Sequence, residues 1–154
     1  MGDDMRKLFL VLLGLLPLPI GFMMNSWILT NPDQVIPGRT LIGLAFLIFW
    51  VLIGYLTSKL EKKSANAAIF AHLPAFIMLI IHQMRMLPNL LGSNLDLMAQ
   101  YFFIPFIGVS SFFTGWLFRL TGIPASLGIY SVVSFLLMAI AYYLGSLIRI
   151  QRNI

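Results

Sequence analysis

Residues 64–100 read SANAAIFAHLPAFIMLIIHQMRMLPNLLGSNLDLMAQ and gather more polar and ionisable groups beside an apolar run than any other part of the chain. It opens with an uncharged run from Ser64 to Met84, long enough for a helix to cross a hydrocarbon core of about 30 Å. Both histidines of the chain, His72 and His82, lie on this run. A polar loop follows, and ionisable groups inside a membrane mark functional sites by default.

The composition of the whole chain predicts a membrane protein. Of its 154 residues, 60% are hydrophobic and 10% are charged, against about 25% charged in ordinary soluble domains. The net charge of +5 comes from cations at the ends of apolar runs, where they contact lipid headgroups rather than nucleic acid. We expect an all-α polytopic transmembrane helical bundle, with residues 1–154 forming a single domain in a lipid bilayer.

The uncharged runs predict five spans, at about residues 8–30, 40–58, 64–86, 97–118 and 124–148. Pro17 and Pro19 fall inside the first span, and each removes a backbone donor and clashes with the preceding turn. We expect the first helix to be kinked or broken there. Trp50 lies near the middle of its span rather than at an interface, so we expect it to pack against another helix.

The distribution of Lys and Arg indicates the orientation. The basic residues between Lys59 and Lys63 form the strongest cluster in the chain and are expected to be cytoplasmic, together with the N-terminus. Five spans then give six cations inside and four outside. If the fourth run is instead re-entrant, the C-terminus lies inside and the ratio becomes seven to three. We expect five spans, because non-helical backbone at membrane depth needs protein or water around it.

A polar cluster is predicted at the outer end of the third span, formed by His82, Gln83, Arg85 and Asp96. One interpretation is a vestibule that binds a substrate, an ion or a partner's carboxylate. In the other, Arg85 reaches the headgroups and pairs with Asp96, while His82 bonds to a neighbouring helix. The second interpretation is favoured because the cluster lies at the interface.

His72 lies deeper in the same span. It could relay protons, since the charge of histidine changes near neutral pH, or donate to the Phe70 carbonyl that Pro74 leaves free. We favour the structural role. Met78, His82 and Met86 share one helical face, but methionine commonly fills packing gaps. No metal site and no cofactor are predicted.

Small residues predict how the helices associate. Two stripes at a spacing of four allow close helix approach, and they are formed by Ala67, Ala71 and Ala75 and by Ser111 and Gly115. The chain has no HExxH, G-x-S-x-G or phosphate-loop motif. The leading hypothesis is therefore a small non-enzymatic membrane protein, either an accessory subunit or an immunity-type partner of another membrane protein. One alternative is a small oligomeric transporter or channel with a path near the kinked first span and His72. The other is a membrane enzyme, which would need residues from a partner.

Three segments carry a resemblance to known sequences. They are Asn31-Pro32 followed by Trp50 and Gly54, then His72-Leu-Pro-Ala75, then Gln100-Tyr-Phe-Phe-Ile-Pro105. Over residues 31–145 the chain resembles an uncharacterised family of small multi-spanning membrane proteins from Gram-positive bacteria. The resemblance implies a bacterial plasma membrane and transfers no catalytic or binding residue.

Overall fold

A computed structural model describes residues 3–58, 64–84, 93–122 and 126–151, and these residues form helices joined by turns, with no strand among them. The helices are α1 (Asp3–Gly14), α2 (Pro17–Thr30), α3 (Arg39–Thr57), α4 (Ser64–Met84), α5 (Ser93–Phe103), α6 (Ile107–Thr121) and α7 (Leu127–Gln151), with a 3-10 turn (Ile104–Phe106) between α5 and α6. They form five segments long and apolar enough to cross a membrane. The predicted helical class and the five apolar segments are confirmed.

The first segment is broken where the prolines predict. Leu15 and Leu16 donate to the carbonyls of Leu12 and Leu13, at 3.1 and 3.2 Å. These are the short-range bonds of a 3-10 turn, which tighten a helix end when the usual donors are missing. The two halves have different neighbours, because α1 packs on α4 whereas α2 packs on α5 and the 3-10 turn.

Helices α3, α4 and α7 form the centre of the bundle. Trp50 of α3 is fully buried, with its ring 5.3 Å from that of His72 on α4 and 6.5 Å from that of Tyr142 on α7. The expectation that Trp50 packs against another helix is confirmed. A Cβ on Gly54 would fall on the Tyr142 backbone, and one on Gly145 would fall on the Val51 backbone. Only glycine permits so close a contact between α3 and α7.

The contacts of α4 fix the direction of α7. Near the end of α4, Gln83 Nε2 donates to the carbonyl of Gly128, at the start of α7, at 2.9 Å. Half-way along α4, the His72 ring faces Phe135 at 6.3 Å, further along α7. The two helices are therefore antiparallel. We call the level of His82, Gln83 and Gly128 the His82 end of the bundle.

The opposite end is defined by Arg149. Its Nη1 donates to the carbonyls of Tyr55 and Leu56, at 2.6 and 2.8 Å, and its guanidinium lies 5.4 Å from the centre of the Tyr55 ring. The last carbonyls of a helix have no partner within it, and a cation there also complements the helix dipole. Arg149 thus caps α3 from α7, which places the end of α7 beside the end of α3. We call this the Arg149 end.

The fourth apolar segment is bent. It begins at the His82 end, where Asp96 lies 3.5 Å from His82. Going inward, the Tyr101 backbone lies where a Cβ on Gly21 would be, and the Phe106 ring lies 5.4 Å from that of Phe46.

The second half of this segment returns to the level where it started. A Cβ on Gly108 would meet the backbone of Arg39, the first residue of α3. Gly122 is only four residues before Ser126, a distance of at most about 14 Å, so α6 also ends near the His82 end. We call α5, the 3-10 turn and α6 the bent segment. Both its ends lie at the His82 end, as in the re-entrant alternative for the expected span at residues 97–118, and the number of membrane crossings stays a prediction. The bend is at Pro105, which lacks the N–H needed to continue a helix.

Candidate functional site: a polar cavity at the His82 end

Two of the four predicted cluster residues come together. His82 Nδ1 and Asp96 Oδ1 are 3.5 Å apart, and the two side chains are 6% and 13% exposed. Gln100, one turn further along α5, donates from Nε2 to Asp96 Oδ2 at 2.9 Å. A buried carboxylate is costly unless hydrogen bonds and a partner compensate it. This contact therefore holds the start of the bent segment against α4.

Of the other two predicted residues, Gln83 has a different partner. Gln83 bonds to Gly128 on α7, so it ties the helices together. Arg85 lies outside the described residues, as does Met86. Ser93, which could complete a Ser-His-Asp arrangement, is described for its backbone alone.

A cavity of about 210 Å³ lies directly beside His82. Its wall is formed by α2, α4, the bent segment and α7. The apolar part of the wall comprises Ile28, Phe103, Ile104, Ile107 and Leu127, and the polar part comprises Asn25, His82, Gln100, Ser110, Tyr130, Ser131 and Ser134. An apolar pocket with a few convergent polar groups is the usual form of a small-molecule site.

The serines of this wall have a fixed hydrogen-bond direction. Ser131 Oγ donates to the carbonyls of Leu127 and Gly128 at 3.1 and 2.9 Å, and Ser134 Oγ donates to the Tyr130 carbonyl at 2.8 Å. Both side chains are 1% exposed. A hydroxyl has one proton and two lone pairs. Since the protons are bound to the helix, the lone pairs are what these serines can offer a ligand.

A second group of polar side chains lies in the middle of the bundle around His72. Its Nδ1 is 2.9 Å from the Ala68 carbonyl, and because a carbonyl only accepts, Nδ1 carries the proton. The prediction that His72 bonds to the Phe70 carbonyl is wrong. A helical side chain points back toward the preceding turn, and from position 72 it reaches the carbonyl four residues earlier. Tyr142 and Thr57 hydroxyls bond to each other at 2.9 Å.

The groove beside His72 differs in chemistry from the cavity at the His82 end. Its volume is about 330 Å³, and its wall between α4 and α7 is almost entirely apolar, with Leu73, Phe76 and Phe135 among its members. His72 Nε2 is itself buried and makes no hydrogen bond within the described part of the chain, although the ring also contacts the Met138 backbone. This region is therefore packed between the α4 and α7 backbones.

The small-residue stripes have different surroundings. Ala67, Ala71 and Ala75 are fully buried, and a Cβ on Gly14 of α1 would meet the Ala71 carbonyl. This stripe thus packs inside the chain, against α1. Ser111 is half-buried and Gly115 exposed, and a Cβ on Gly115 would have no neighbour within 4 Å among the described residues. This second stripe faces outward.

Comparisons of the chain with protein-family models, with curated proteins and with solved structures find no match. The resemblance to membrane proteins of Gram-positive bacteria stays a prediction. The cavity and its polar wall are consequently the basis for assigning a function.

Sequence reasoning missed most of the polar wall. Asn25, Ser110, Tyr130, Ser131 and Ser134 were not singled out, since hydroxyl residues in an apolar run are commonly bonded to their own helix. A signal was present in α7, where Gly128, Ser131 and Ser134 recur every three residues on one face. That face lines the cavity.

Proposed function

We propose that this chain is an integral membrane protein that binds a small polar solute in the cavity at the His82 end. The observation that supports the proposal is the cavity itself, where seven polar side chains from five helices converge. Polar groups at membrane depth mark substrate pathways. Irregular backbone, such as the turn at Pro105, is tolerated there when it is buried in protein or lines a cavity.

The proposal includes four crossings and a re-entrant segment. The contacts of Gln83 with Gly128 and of Arg149 with Tyr55 support a full crossing by α7 from the His82 end to the Arg149 end. The bent segment begins and ends at the His82 end, and this supports its assignment as a re-entrant segment. Three alternating crossings and this segment precede α7, so the two termini would lie on one side.

The charges support the orientation. With four crossings, the cations at the Arg149 end are Arg6, Lys7, Lys59, Lys62, Lys63, Arg149 and Arg152, and those at the His82 end are Arg39, Arg85 and Arg119. Cytoplasmic loops carry the excess of Lys and Arg. The Arg149 end is then cytoplasmic, and the cavity opens toward the outer face of the membrane.

Thermal stability of the purified protein in nanodiscs tests solute binding. A solute that binds the folded state raises the melting temperature by an amount that grows with the logarithm of one plus its concentration over Kd. A panel of small amines, amides, polyols, amino acids and inorganic ions should therefore contain stabilising members. Asn25→Leu fills the cavity with an apolar side chain and should abolish these shifts. Asn66→Leu, the same change at an exposed position of α4, should leave them intact.

Two results would contradict the proposal. If no member of the panel shifts the melting temperature, the cavity is not a solute site. If the shifts survive Asn25→Leu, the solute binds elsewhere. Uptake of the stabilising solute into proteoliposomes then separates a transporter from a receptor.

A second candidate function is association with another membrane protein, as an accessory subunit or an immunity-type partner. It is favoured by the outward position of Gly115, with Phe112 and Trp116 on the same helix 72% and 60% exposed. Small residues beside large apolar ones allow helices to approach closely in lipid. This candidate would use the outer surface of α6 and leaves the cavity free.

A further inference from the structure

We infer that the outer cavity recognises a small ligand through the N–H groups that the ligand donates, as in a primary ammonium ion or a primary amide. The inference rests on the proposed solute binding and names the class of solute. It follows from the direction of the hydrogen bonds that the wall residues already make.

Toward a ligand, the serines of the wall act as hydrogen-bond acceptors, because their protons are already donated to the helix. The proton of Ser131 lies between two helix carbonyls, and that of Ser134 points to a third. Ser110 Oγ makes the same kind of contact to the Ile107 carbonyl, at 3.4 Å. Each oxygen keeps acceptor capacity. Three of the seven polar wall residues therefore present lone pairs to a ligand.

Gln100 adds another acceptor. Its amide nitrogen faces the Asp96 carboxylate at 2.9 Å, which fixes which end of the amide is which, because two oxygens would repel. Oε1 is thereby directed away from Asp96. Donors on the wall come from the Asn25 amide, the Tyr130 hydroxyl and the His82 ring. The first two groups also accept, as does the ring in its neutral form. Acceptors outnumber donors, so a ligand that brings its own N–H groups satisfies the wall best.

The size of the cavity limits the ligand. The volume of about 210 Å³ is smaller than the roughly 300–1,000 Å³ of pockets for drug-sized ligands. The cavity therefore favours a small ligand. Methylammonium and acetamide are suitable probes, the first charged and the second neutral.

Matched pairs of probes test the inference on the protein in nanodiscs. Methylammonium is compared with tetramethylammonium, and acetamide with N,N-dimethylacetamide, by calorimetric titration at constant ionic strength. The methylated member of each pair keeps the charge but has no N–H group. It is also larger, so a preference for the N–H member counts for donor recognition only where the serine variants below reduce it. We expect the N–H member to bind at least about tenfold more tightly in one or both pairs. Which pair responds distinguishes an ammonium site from an amide site.

Variants locate the effect. The double change Ser131→Ala with Ser134→Ala removes two acceptors with little change in volume, and should lower affinity for the N–H probe about fivefold or more. Ser146→Ala is the control, since Ser146 is also buried and bonded to its helix, at 2.7 Å from the Tyr143 carbonyl, but lies outside the cavity. Should the double variant misfold, the single changes Ser131→Ala and Ser134→Ala each remove one acceptor and should each lower the affinity for the N–H probe.

The outcomes separate this inference from the proposed function. If a methylated probe or an anion binds as well as the N–H probe, and Asn25→Leu blocks it, the cavity binds solutes but donor recognition is wrong. Equal affinities in the double serine variant and the Ser146→Ala control would likewise overturn it. If no solute of any kind binds, the proposed function fails with it.

Discussion

At the scale of single residues, the side chain with the most unusual position is Trp50. Its indole is fully buried between α3, α4 and α7, and its Nε1 has no hydrogen-bond partner in the described part of the chain. A buried donor without a partner costs about 1–3 kcal/mol. Its packing against the His72 and Tyr142 rings must offset that cost.

Substitutions of Trp50 can separate packing from hydrogen bonding. Trp50→Ala should destabilise the protein by roughly 3–5 kcal/mol, since it leaves a large cavity. Trp50→Phe keeps an aromatic ring and removes the unmatched donor, so it should cost less than about 1.5 kcal/mol. Trp116→Ala, at an exposed position, is the control and should be nearly silent. Chemical unfolding in mixed micelles measures all three. A loss with Trp50→Phe as large as with Trp50→Ala would show that Nε1 is bonded after all.

At the level of residues, the sequence signal was clearest for ionisable groups, although the favoured pairing of Arg85 with Asp96 lies outside the described residues. His82 and Asp96 were predicted to belong to one cluster, and they are in contact, because a histidine and a carboxylate at one end of neighbouring helices have few other partners in an apolar protein. Gln83 bonds to α7 instead, and this choice depends on where the start of α7 lies. Hydroxyl groups carry no such signal. Ser131 and Ser134 line the cavity because of how α7 is rotated, which an uncharged run does not reveal.

At the scale of the helices, the bent segment is where prediction from sequence was hardest. An uncharged run of this length is compatible with a crossing and with re-entry, because length and hydropathy do not record direction. Pro105 indicates where the helix breaks, but it does not indicate the angle between the two halves. The angle is set by close backbone contacts, above all at Gly21 on α2 and at Gly108, which packs on the start of α3.

Two glycines of α6 allow the contact between Gly108 and the start of α3 to be tested. Gly108→Leu forces a side chain into the Arg39 backbone and should destabilise the protein by roughly 1–3 kcal/mol through overpacking. Gly115→Leu makes the same change at an open position of the same helix and should leave the melting temperature unchanged. Equal effects of the two changes would argue against close packing of Gly108 on the Arg39 backbone. On native gels, Gly115→Leu also tests the association candidate, which predicts a smaller complex.

At the scale of the whole molecule, the proposed topology can be tested directly. The chain has no cysteine, so single cysteines introduced by Asp4→Cys, Asp33→Cys and Asn153→Cys report their sides of the membrane without background. With four crossings, a membrane-impermeant maleimide should label positions 4 and 153 from the same side and position 33 from the opposite side. Labelling of positions 33 and 153 from one side would instead establish five crossings.

The break in the first segment has a consequence for the cavity. The turn at Leu15 and Leu16 divides the segment into two helices with different neighbours, because α1 packs on α4 while α2 packs on α5 and the 3-10 turn. Asn25 of α2 lines the cavity, whereas Gly14 of α1 packs on Ala71. A substitution at Asn25 is therefore expected to change the cavity and to leave the contact between Gly14 and Ala71 in place.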